Sequence, residues 1–297
     1  MSRRFVSFLL ACTIAFALAD ASPGHAGKLP KRLHDLTLQA PPKPPKPLFE
    51  LGAVLGGAYL PDYPAAGQSH LNGVVLPYVA YRGKILRSDE KGLLRSRLVK
   101  TDRFEFDVSL DGAFAADSDK NDARRGMPDL DWIGQIGPRV QWTIAKAAHS
   151  AKIDLEIPVR AVFSTDLSDV RARGYVFEPE LAYQHENFLQ QNLEVKLSVG
   201  VTFASEDLMD YFYEVEPRYA AAGRPAFDAK AGYMGAKTQL SLVKDLGPRF
   251  NLLMAFRTEY HGGAENRDSP LFKDDFTYGL GAALVISLYQ SKTRAEP

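Results

Sequence analysis

The stretch HGGAENRDSP, residues 261–270, carries the side chains that a hydrolase uses. A base, two carboxylates and a hydroxyl occur there in His261, Glu265, Asp268 and Ser269. A catalytic serine needs a base within hydrogen-bond reach, but loops collect such residues in any case. The sequence has neither a Gly-x-Ser-x-Gly turn nor a His-Glu-x-x-His zinc motif, and His149 and His185 stand apart. We therefore predict a polar loop and no enzyme.

A second stretch, DSDKND at 117–122, spaces its oxygen ligands as a calcium loop does. Asp117, Asp119 and Asn121 alternate along it. An EF-hand loop also needs a glycine at its sixth position and a glutamate at its twelfth. Asp122 and Pro128 stand at those positions. The pattern favours a solvated loop, and the sequence predicts no metal site and no cofactor.

The charges of KIDLEIPVRAVF, residues 152–163, alternate with its apolar residues. Lys152, Asp154, Glu156 and Arg160 share one parity. Successive side chains of a strand point to opposite faces, so the stretch predicts a two-sided strand. In a soluble sandwich the charges would meet water. In an outer-membrane barrel the apolar face would meet lipid and the charges would line the lumen.

The same alternation recurs at 103–114, 175–186 and 192–203. In the membrane interpretation, the charged parity of these strands supplies the lumen-lining candidates. They are Arg103, Glu105, Asp107, Lys152, Asp154, Glu156, Arg160, Glu178, Glu180, Glu194 and Lys196. Both signs occur among them, so such a lumen can neutralise itself by ion pairs.

Strand length favours the membrane, where a tilted strand needs about 9–11 residues. We predict an all-β fold, a transmembrane antiparallel up-and-down β-barrel of about twelve strands. The predicted strands are 49–60, 73–82, 92–100, 103–114, 131–144, 152–163, 175–186, 192–203, 208–216, 229–245, 249–260 and 276–289. Loop lengths do not fit this count, because 115–130 is long and 187–191 is short where the reverse is expected. The count is therefore off by one strand within 205–228 and again near the N-terminus, and ten strands is the alternative.

Composition narrows the class of protein. The chain has 297 residues and a formal net charge of zero, so nothing in its charge points to nucleic acid. Residues 1–26 have the positive start, apolar run and small-residue end of a secretory signal peptide. The alternatives to a cleaved signal peptide are a membrane anchor and a lipoprotein signal that ends at Cys12. No later stretch has the continuous apolar length of a spanning helix.

The segment 27–48 is rich in proline and lysine and predicts an extended, semi-rigid arm. It is either a spacer or a docking element on the periplasmic side, with Lys43 and Lys46 as candidate contacts for a partner. The barrel would then occupy 49–289, and 290–297 would form a C-terminal tail.

Five stretches resemble the MltA-interacting protein/OmpV family of outer-membrane proteins. They are LGAVLGGAYLPDYPAAG (51–67), LPYVAYRG (76–83), DWIGQIGPRVQW (131–142), DYFYEVEPRYAAAGRPAFDAKAGYMG (210–235) and DSPLF (268–272). Ala65 and Ala66 depart from the glycine–serine loop more usual in the family. The last strand also departs, since it ends at Tyr289 with QSKTRAEP after it.

The resemblance implies an outer-membrane location and a non-enzymatic scaffold. Members are implied to bring a murein lytic transglycosylase together with a murein synthase, and no catalytic residues carry over. A passive pore for small solutes is the alternative function, and a soluble periplasmic ligand carrier is a third. Both the scaffold and the pore would lie in outer-membrane lipid.

Overall fold

The computed structural model describes residues 46–82, 86–89, 92–96, 99–147, 150–189 and 191–295. The predicted signal peptide at 1–26, the arm up to residue 45 and Lys43 lie outside these ranges. Strands dominate the described chain, as the alternation predicts.

Fourteen strand segments follow one another along the chain. They are β1 Phe49–Pro61, β2 Ser69–Arg82, β3 Leu86–Asp89, β4 Gly92–Ser96, β5 Val99–Lys100, β6 Phe104–Ala113, β7 Trp132–Ala147, β8 Ala151–Thr165, β9 Val170–Phe177, β10 Glu180–Phe188, β11 Leu193–Ala204, β12 Gly232–Gly247, β13 Phe250–Tyr260 and β14 Phe276–Gln290. One α-helix, α1 at Glu206–Tyr213, lies between β11 and β12. In the part of the chain that the structure describes, no helix is both long enough and apolar enough to cross a membrane.

The strands form one antiparallel sheet in the order β4-β3-β2-β1-β14-β13-β12-β11-β10-β8-β7-β6-β5. The first long strand pairs with the last, as in Gly57 opposite Ala282, so the two ends of the chain meet inside the sheet. Neighbours in sequence are otherwise neighbours in space. This up-and-down antiparallel order confirms the predicted fold class.

The predicted strand 175–186 is interrupted at its middle. β9 and β10 both pair with β8 and with β11, so together they act as one bent strand. Glu178 and Pro179 separate them. Proline has no N–H to give to a ladder, which explains the break at this position.

Long and short connections segregate to opposite ends of the sheet. The end with the long loops, here the loop end, carries 62–68, 114–131, 205–231 and 261–275, together with the four-residue turn 166–169. The other end, the turn end, carries the short connections 101–103, 148–150, 189–192 and 248–249, and also residues 46–48 and 291–295. This asymmetry is typical of outer-membrane barrels.

The sheet also has two different faces. On β8, Asp154, Glu156 and Arg160 are buried, while Ile153 and Val159 on the alternate parity are exposed. Exposed apolar side chains continue on most other strands, for example Leu181, Val199 and Phe256. The apolar side chains therefore turn outward and the charges turn toward one another.

One predicted strand is wrong and one is missing from the prediction. Residues 208–216 are mainly helical, because α1 buries Leu208, Met209, Phe212 and Tyr213 at helical spacing and starts with Glu206 and Asp207, which suit a helix N-terminus. With this strand removed, 115–130 falls at the loop end and 187–191 at the turn end, as their lengths require. The unpredicted strand is β3.

Candidate functional site

A chain of ion pairs crosses the buried polar face of the sheet. Arg139 on β7 donates from Nε to Asp107 Oδ1 at 2.9 Å and from Nη1 to Glu156 Oε2 at 2.8 Å. Asp107 lies on β6 and Glu156 on β8, so one guanidinium joins three neighbouring strands. Lys196 on β11 extends the chain, with Nζ 2.8 Å from Glu156 Oε1 and 3.3 Å from Glu180 Oε1.

Two further groups complete this network on either side. Asp154 receives hydrogen bonds from Gln141 and Thr143 and lies 2.7 Å from Lys152 Nζ. Glu178 contacts Arg160, and its Oε1 lies 2.9 Å from Lys237 Nζ. Because each buried charge has an opposite partner, the desolvation cost of burying it is offset.

The sequence-predicted candidates do not all lie in this network. Asp107, Lys152, Asp154, Glu156, Arg160, Glu178, Glu180 and Lys196 make the contacts given above. Glu105 and Glu194 lie on the same strands and are half-buried. Arg103 precedes β6 and is exposed, so it does not join the buried charges. Lys46 is the first described residue and is exposed.

Sequence reasoning missed four members of this face: Asp111, Arg139, Lys237 and Arg257. They lie on β6, β7, β12 and β13, and all four belong to stretches predicted as strands. Arg139, Gln141 and Thr143 share one parity, which is a signal that could have found the first. Arg257 donates to Gln239 Oε1 at 3.1 Å and lies 3.5 Å from Glu259.

The loop end is covered by a packed structure that we call the cap, made of the loops 62–68, 114–131, 205–231 and 261–275. Its core includes Tyr63, Leu130, Met209, Phe212 and Leu271, which pack with inward residues near the loop ends of the strands. Four residues of α1, Leu208, Met209, Phe212 and Tyr213, belong to this core.

Hydrogen bonds join the loops of the cap to one another. The hydroxyl of Tyr63 donates to Leu271 O at 2.7 Å, and the hydroxyl of Tyr213 donates to Pro64 O at 3.0 Å. The buried Arg124 donates to the carbonyls of Phe212 and Pro128. These long-range contacts fix four loops in one arrangement.

One carboxylate of the cap is in an unfavourable place. Burial, followed by the nearby charges of Glu214 and Glu206, raises the pKa of Asp210 to about 6. Its Oδ1 is buried without a hydrogen-bond partner among the described residues. The cap therefore holds a carboxyl group that titrates near neutral pH.

Two cavities lie inside the sheet. The upper one, ≈ 420 Å³, lies beneath the cap and is lined by residues such as Tyr63, Asn72 and Met234. The lower one, ≈ 510 Å³, is lined by Gly57, Glu194 and Ala282 among others. Asp111, Lys237 and Arg257 line both, so the charged network separates the two spaces.

The histidines and the serine considered for catalysis make the following contacts. His261 is buried, with Ala65 N 3.2 Å from its Nε2 and Met234 O 3.0 Å from its Nδ1. Ser269 donates to Tyr213 O at 2.7 Å. His185 Nδ1 accepts from the backbone of Asn187, and His149 lies outside the described residues.

The stretch 117–122 forms part of the cap. Asp117 accepts from the backbone N–H of Asp119 and caps a single 3-10 turn, Ser118–Lys120. Its Oδ2 lies 2.9 Å from Lys120 Nζ. Across the described ranges, no three His, Cys, Asp or Glu residues are grouped as a metal site would require.

At the turn end, both ends of the described chain are held together by what we call the clasp, residues 46–48 and 293–295 with Glu50 and Arg82. Leu48 N donates to Thr293 O at 2.9 Å, and Ala295 N donates to Lys46 O at 2.8 Å. The buried Arg82 donates to Glu50 Oε1 at 2.7 Å and to Pro47 O at 3.0 Å. The clasp therefore joins the first and the last described residues of the chain.

The model of one protein family covers most of this chain. The model of the family described as MltA-interacting protein MipA matches residues 53–287. A search of curated protein sequences finds no match.

Similar solved structures include an outer-membrane channel from Pseudomonas putida F1, with 13% identity over 90% of this chain and 99% of that chain and a TM-score of 0.44. The NanC porin has 9% identity over 80% and 100%, with a TM-score of 0.38. Outer membrane phospholipase A from Escherichia coli has 8% identity over 81% and 94%, with a TM-score of 0.31.

Proposed function

The chain belongs to the MltA-interacting protein MipA family, and from this premise we propose that it is a non-enzymatic scaffold for murein-remodelling enzymes. It is a protein of the outer membrane. The finer role goes beyond the family match and is argued here from the two ends of the sheet. A closed barrel wall is part of the proposal, with β4 and β6, which lie in contact, forming the remaining seam.

The clasp is the observation that carries the scaffold role. The clasp holds residues 46–48 at the turn end by backbone and side-chain contacts, so the proposed docking arm would be attached to the sheet there. In outer-membrane barrels the short turns face the periplasm, where murein enzymes act. Residues 27–45, with Lys43, would bind a lytic transglycosylase and a murein synthase.

The interior supports a scaffold better than an open channel. The cap covers the loop end with an apolar core, and the ion pairs of Arg139, Glu156 and Lys196 cross the polar face below it. Opening a path through them would require breaking buried pairs, each strongly destabilising when one partner is lost. The same proposal assigns the candidate residues that form ion pairs to the lining of the lumen.

Co-purification tests the scaffold role. Tagged full-length chain and a variant lacking residues 28–45 are extracted from envelopes in mild detergent, and the lytic transglycosylase activity recovered with each is measured. This deletion spares residues 46–48, so the clasp remains. We expect recovery with the full chain and loss with the deletion, whereas Leu167→Arg, at the opposite end of the sheet, should recover as much as the unmodified chain.

Two outcomes would count against the proposal. Equal recovery with the arm-deleted chain would remove the arm from the mechanism, and no recovery with the full chain would remove the scaffold role itself. A double variant, Lys43→Glu with Lys46→Glu, keeps the length of the arm and tests whether its positive charge is needed to bind the enzymes.

A passive pore for small solutes is the second candidate, favoured by the two internal cavities. Planar bilayers containing the purified protein distinguish the two functions. Stable single-channel conductance steps would support the pore and contradict the plugged scaffold, and a silent bilayer with folded protein would do the reverse.

A further inference from the structure

We propose that the wall of the sheet has a side opening between β2 and the end of β6, through which the acyl chain of a membrane lipid enters the interior. We define the opening by its borders, residues 69–77 on one side and 111–117 on the other. The proposal depends on the placement in the outer membrane and is independent of the scaffold role.

The first observation is an unpaired backbone edge. β2 pairs with β1 along its whole length, from Phe49 opposite Tyr81 to Pro61 opposite Ser69. On its other side, its described ladder with β3 consists of Tyr81 and Arg82 alone. Within the described ranges, residues 69–77 therefore have no strand on that side. Pro77, which cannot donate to a ladder, lies in this stretch as edge strands allow.

The chain between β2 and β6 is too short to fill this gap with full-length strands. Residues 83–103 must supply everything between β2 and β6. Two strands of the height of β1, with 13 residues, or β2, with 14 residues, would need more chain than that. The hairpin formed by β3 and β4 thus reaches only the part of β2 near Arg82.

The top of the opening is closed by contacts between two loops. Gln68 accepts from Asp122 N at 2.6 Å, and Asn121 donates to Asp62 at 2.7 Å. The gap is therefore bordered above by the cap and below by the hairpin. It opens on the outward face of the sheet, where the apolar side chains are exposed.

Exposure of the side chains agrees with an opening. Leu71 and Val75 are 78% and 73% exposed on the outward face. Leu76 shares the inward parity of the buried Tyr78 and Ala80, yet 45% of its surface is exposed. An inward-facing leucine reaches that exposure when the wall beside it is missing.

Both cavities extend to this gap. The upper one is lined by Leu71 and Asn72 on one border and by Asp111 and Phe114 on the other. The lower one touches Val74 and Leu110 in the same way. Leu71 and Leu110 lie on the outward parity of their strands, so the interior space continues past the edge of the wall.

The chemistry of the interior selects an amphiphile. On the side of β1 and β14 the lower cavity is lined by small or apolar groups, among them Gly56, Ala58 and Ala283. On the opposite side it is lined by Arg139, Glu156 and other charges of both signs. An acyl chain fits against the first wall because it buries apolar surface there, and a zwitterionic head group fits the second.

Quenching of tryptophan fluorescence by lipids with brominated acyl chains tests the proposal. The background chain carries Trp132→Phe and Trp142→Phe, which removes both native tryptophans. Three single tryptophans are then compared in phosphatidylcholine vesicles: Leu76→Trp at the opening, Val159→Trp on the outward face, and Ser287→Trp as matched control. Ser287 is buried on the inward side of β14, a strand that is paired on both sides, and it lines neither cavity.

We expect Leu76→Trp to lose emission about as far as Val159→Trp, while Ser287→Trp keeps most of its emission. Equal emission from Leu76→Trp and Ser287→Trp, at any level, would overturn the opening. If Leu76→Trp does not fold, as judged by its migration on a gel before and after boiling, Val74→Trp on the same face replaces it. A failed co-purification of murein enzymes would leave this result untouched, so the two proposals can fail separately.

Discussion

Arg139 on β7 and Glu156 on β8 form a buried ion pair, with Nη1 2.8 Å from Oε2, on the face of the sheet opposite the exposed apolar residues. The pair occurs in the middle of a network that also includes Asp107 and Lys196. In a soluble sandwich, charged residues would lie on the outside and apolar residues within. The arrangement here is the reverse, and it is the physical basis of the membrane placement.

Removing Arg139 tests how much this network contributes. Arg139→Met leaves Asp107 and Glu156 buried with one fewer partner, and we expect the free energy of unfolding to fall by about 3–5 kcal/mol. Urea unfolding of the protein in lipid vesicles measures it. The control is Arg125→Met, whose ion pair with Asp122 is exposed; a loss there equal to that of Arg139→Met would mean that burial of the pair is unimportant.

A charged residue on the apolar face should lower the free energy of unfolding. Val159→Arg places a cation on the outward face of β8, where Val159 is 43% exposed, and we expect a loss of about 2–4 kcal/mol if this position lies near the middle of the bilayer. Leu167→Arg, in the loop 166–169, should change stability by less than about 0.5 kcal/mol. Unfolding in vesicles measures both. A tolerated Val159→Arg would place this face in water.

Much of the sheet was predictable from alternation alone. The predicted strand 152–163 is observed as Ala151–Thr165, and the predicted strand 249–260 is observed as Phe250–Tyr260. These strands are two-sided, so their period of two is visible in the sequence. The ion pairs were not predictable, because Arg139 meets Glu156 only in one strand register, and register depends on the assembled sheet.

The error at 208–216 has a physical cause. Its aromatic residues suggest a strand, yet Leu208, Met209, Phe212 and Tyr213 are spaced to lie on one side of a helix, and Ser205 precedes two acidic residues. Loop lengths already indicated that the count was wrong near this segment. The cap as a whole was not predictable, since it unites four loops far apart in sequence.

Packing of α1 should control the cap without controlling the sheet. Met209→Ala removes a fully buried side chain from the core of the cap, and we expect it to lower the local stability of the cap by about 2–5 kcal/mol. Limited proteolysis should then cut within 205–231 faster than in the unmodified protein, while the membrane-embedded fragment stays resistant. Leu189→Ala is the control, because Leu189 is exposed at the turn end. The protease should cleave this variant within 205–231 at the same rate as the unmodified protein.

Proteolysis of the sheet itself in Met209→Ala, at the same rate as the loop, would show that cap and wall unfold together. That outcome would contradict the separate role given to the cap.

The cap should lose stability as pH rises through the range where Asp210 titrates. The pKa of Asp210 is raised from 3.8 to about 6, so the folded cap holds a proton that the unfolded segment has already released. Its stability is therefore greatest below about pH 4, falls as pH rises toward 6, and is flat above that, with a total change of about 1 kcal/mol after allowance for partial exposure. Amide exchange across 206–213 measures this dependence.

Asp210→Asn should remove that pH dependence and protect α1 more strongly at pH 7. Asp166→Asn, in another loop, is a control of opposite sign: hydrogen bonds from the hydroxyl and backbone N–H of Ser168 lower the pKa of Asp166 to about 2, so its loss should not stabilise anything at neutral pH. A pH dependence of exchange in Asp210→Asn as large as that of the unmodified protein would refute the assignment.

The orientation of the sheet, with apolar side chains toward lipid and ion pairs enclosed, is tested most directly by gel migration of the membrane fraction in dodecyl sulfate with and without boiling. A closed barrel whose buried charges are paired should resist the detergent at room temperature, run as a compact band, and shift to the mobility of the unfolded mature chain only after boiling. A single band of the same mobility in both samples, from protein washed out of the membranes by carbonate, would contradict the account.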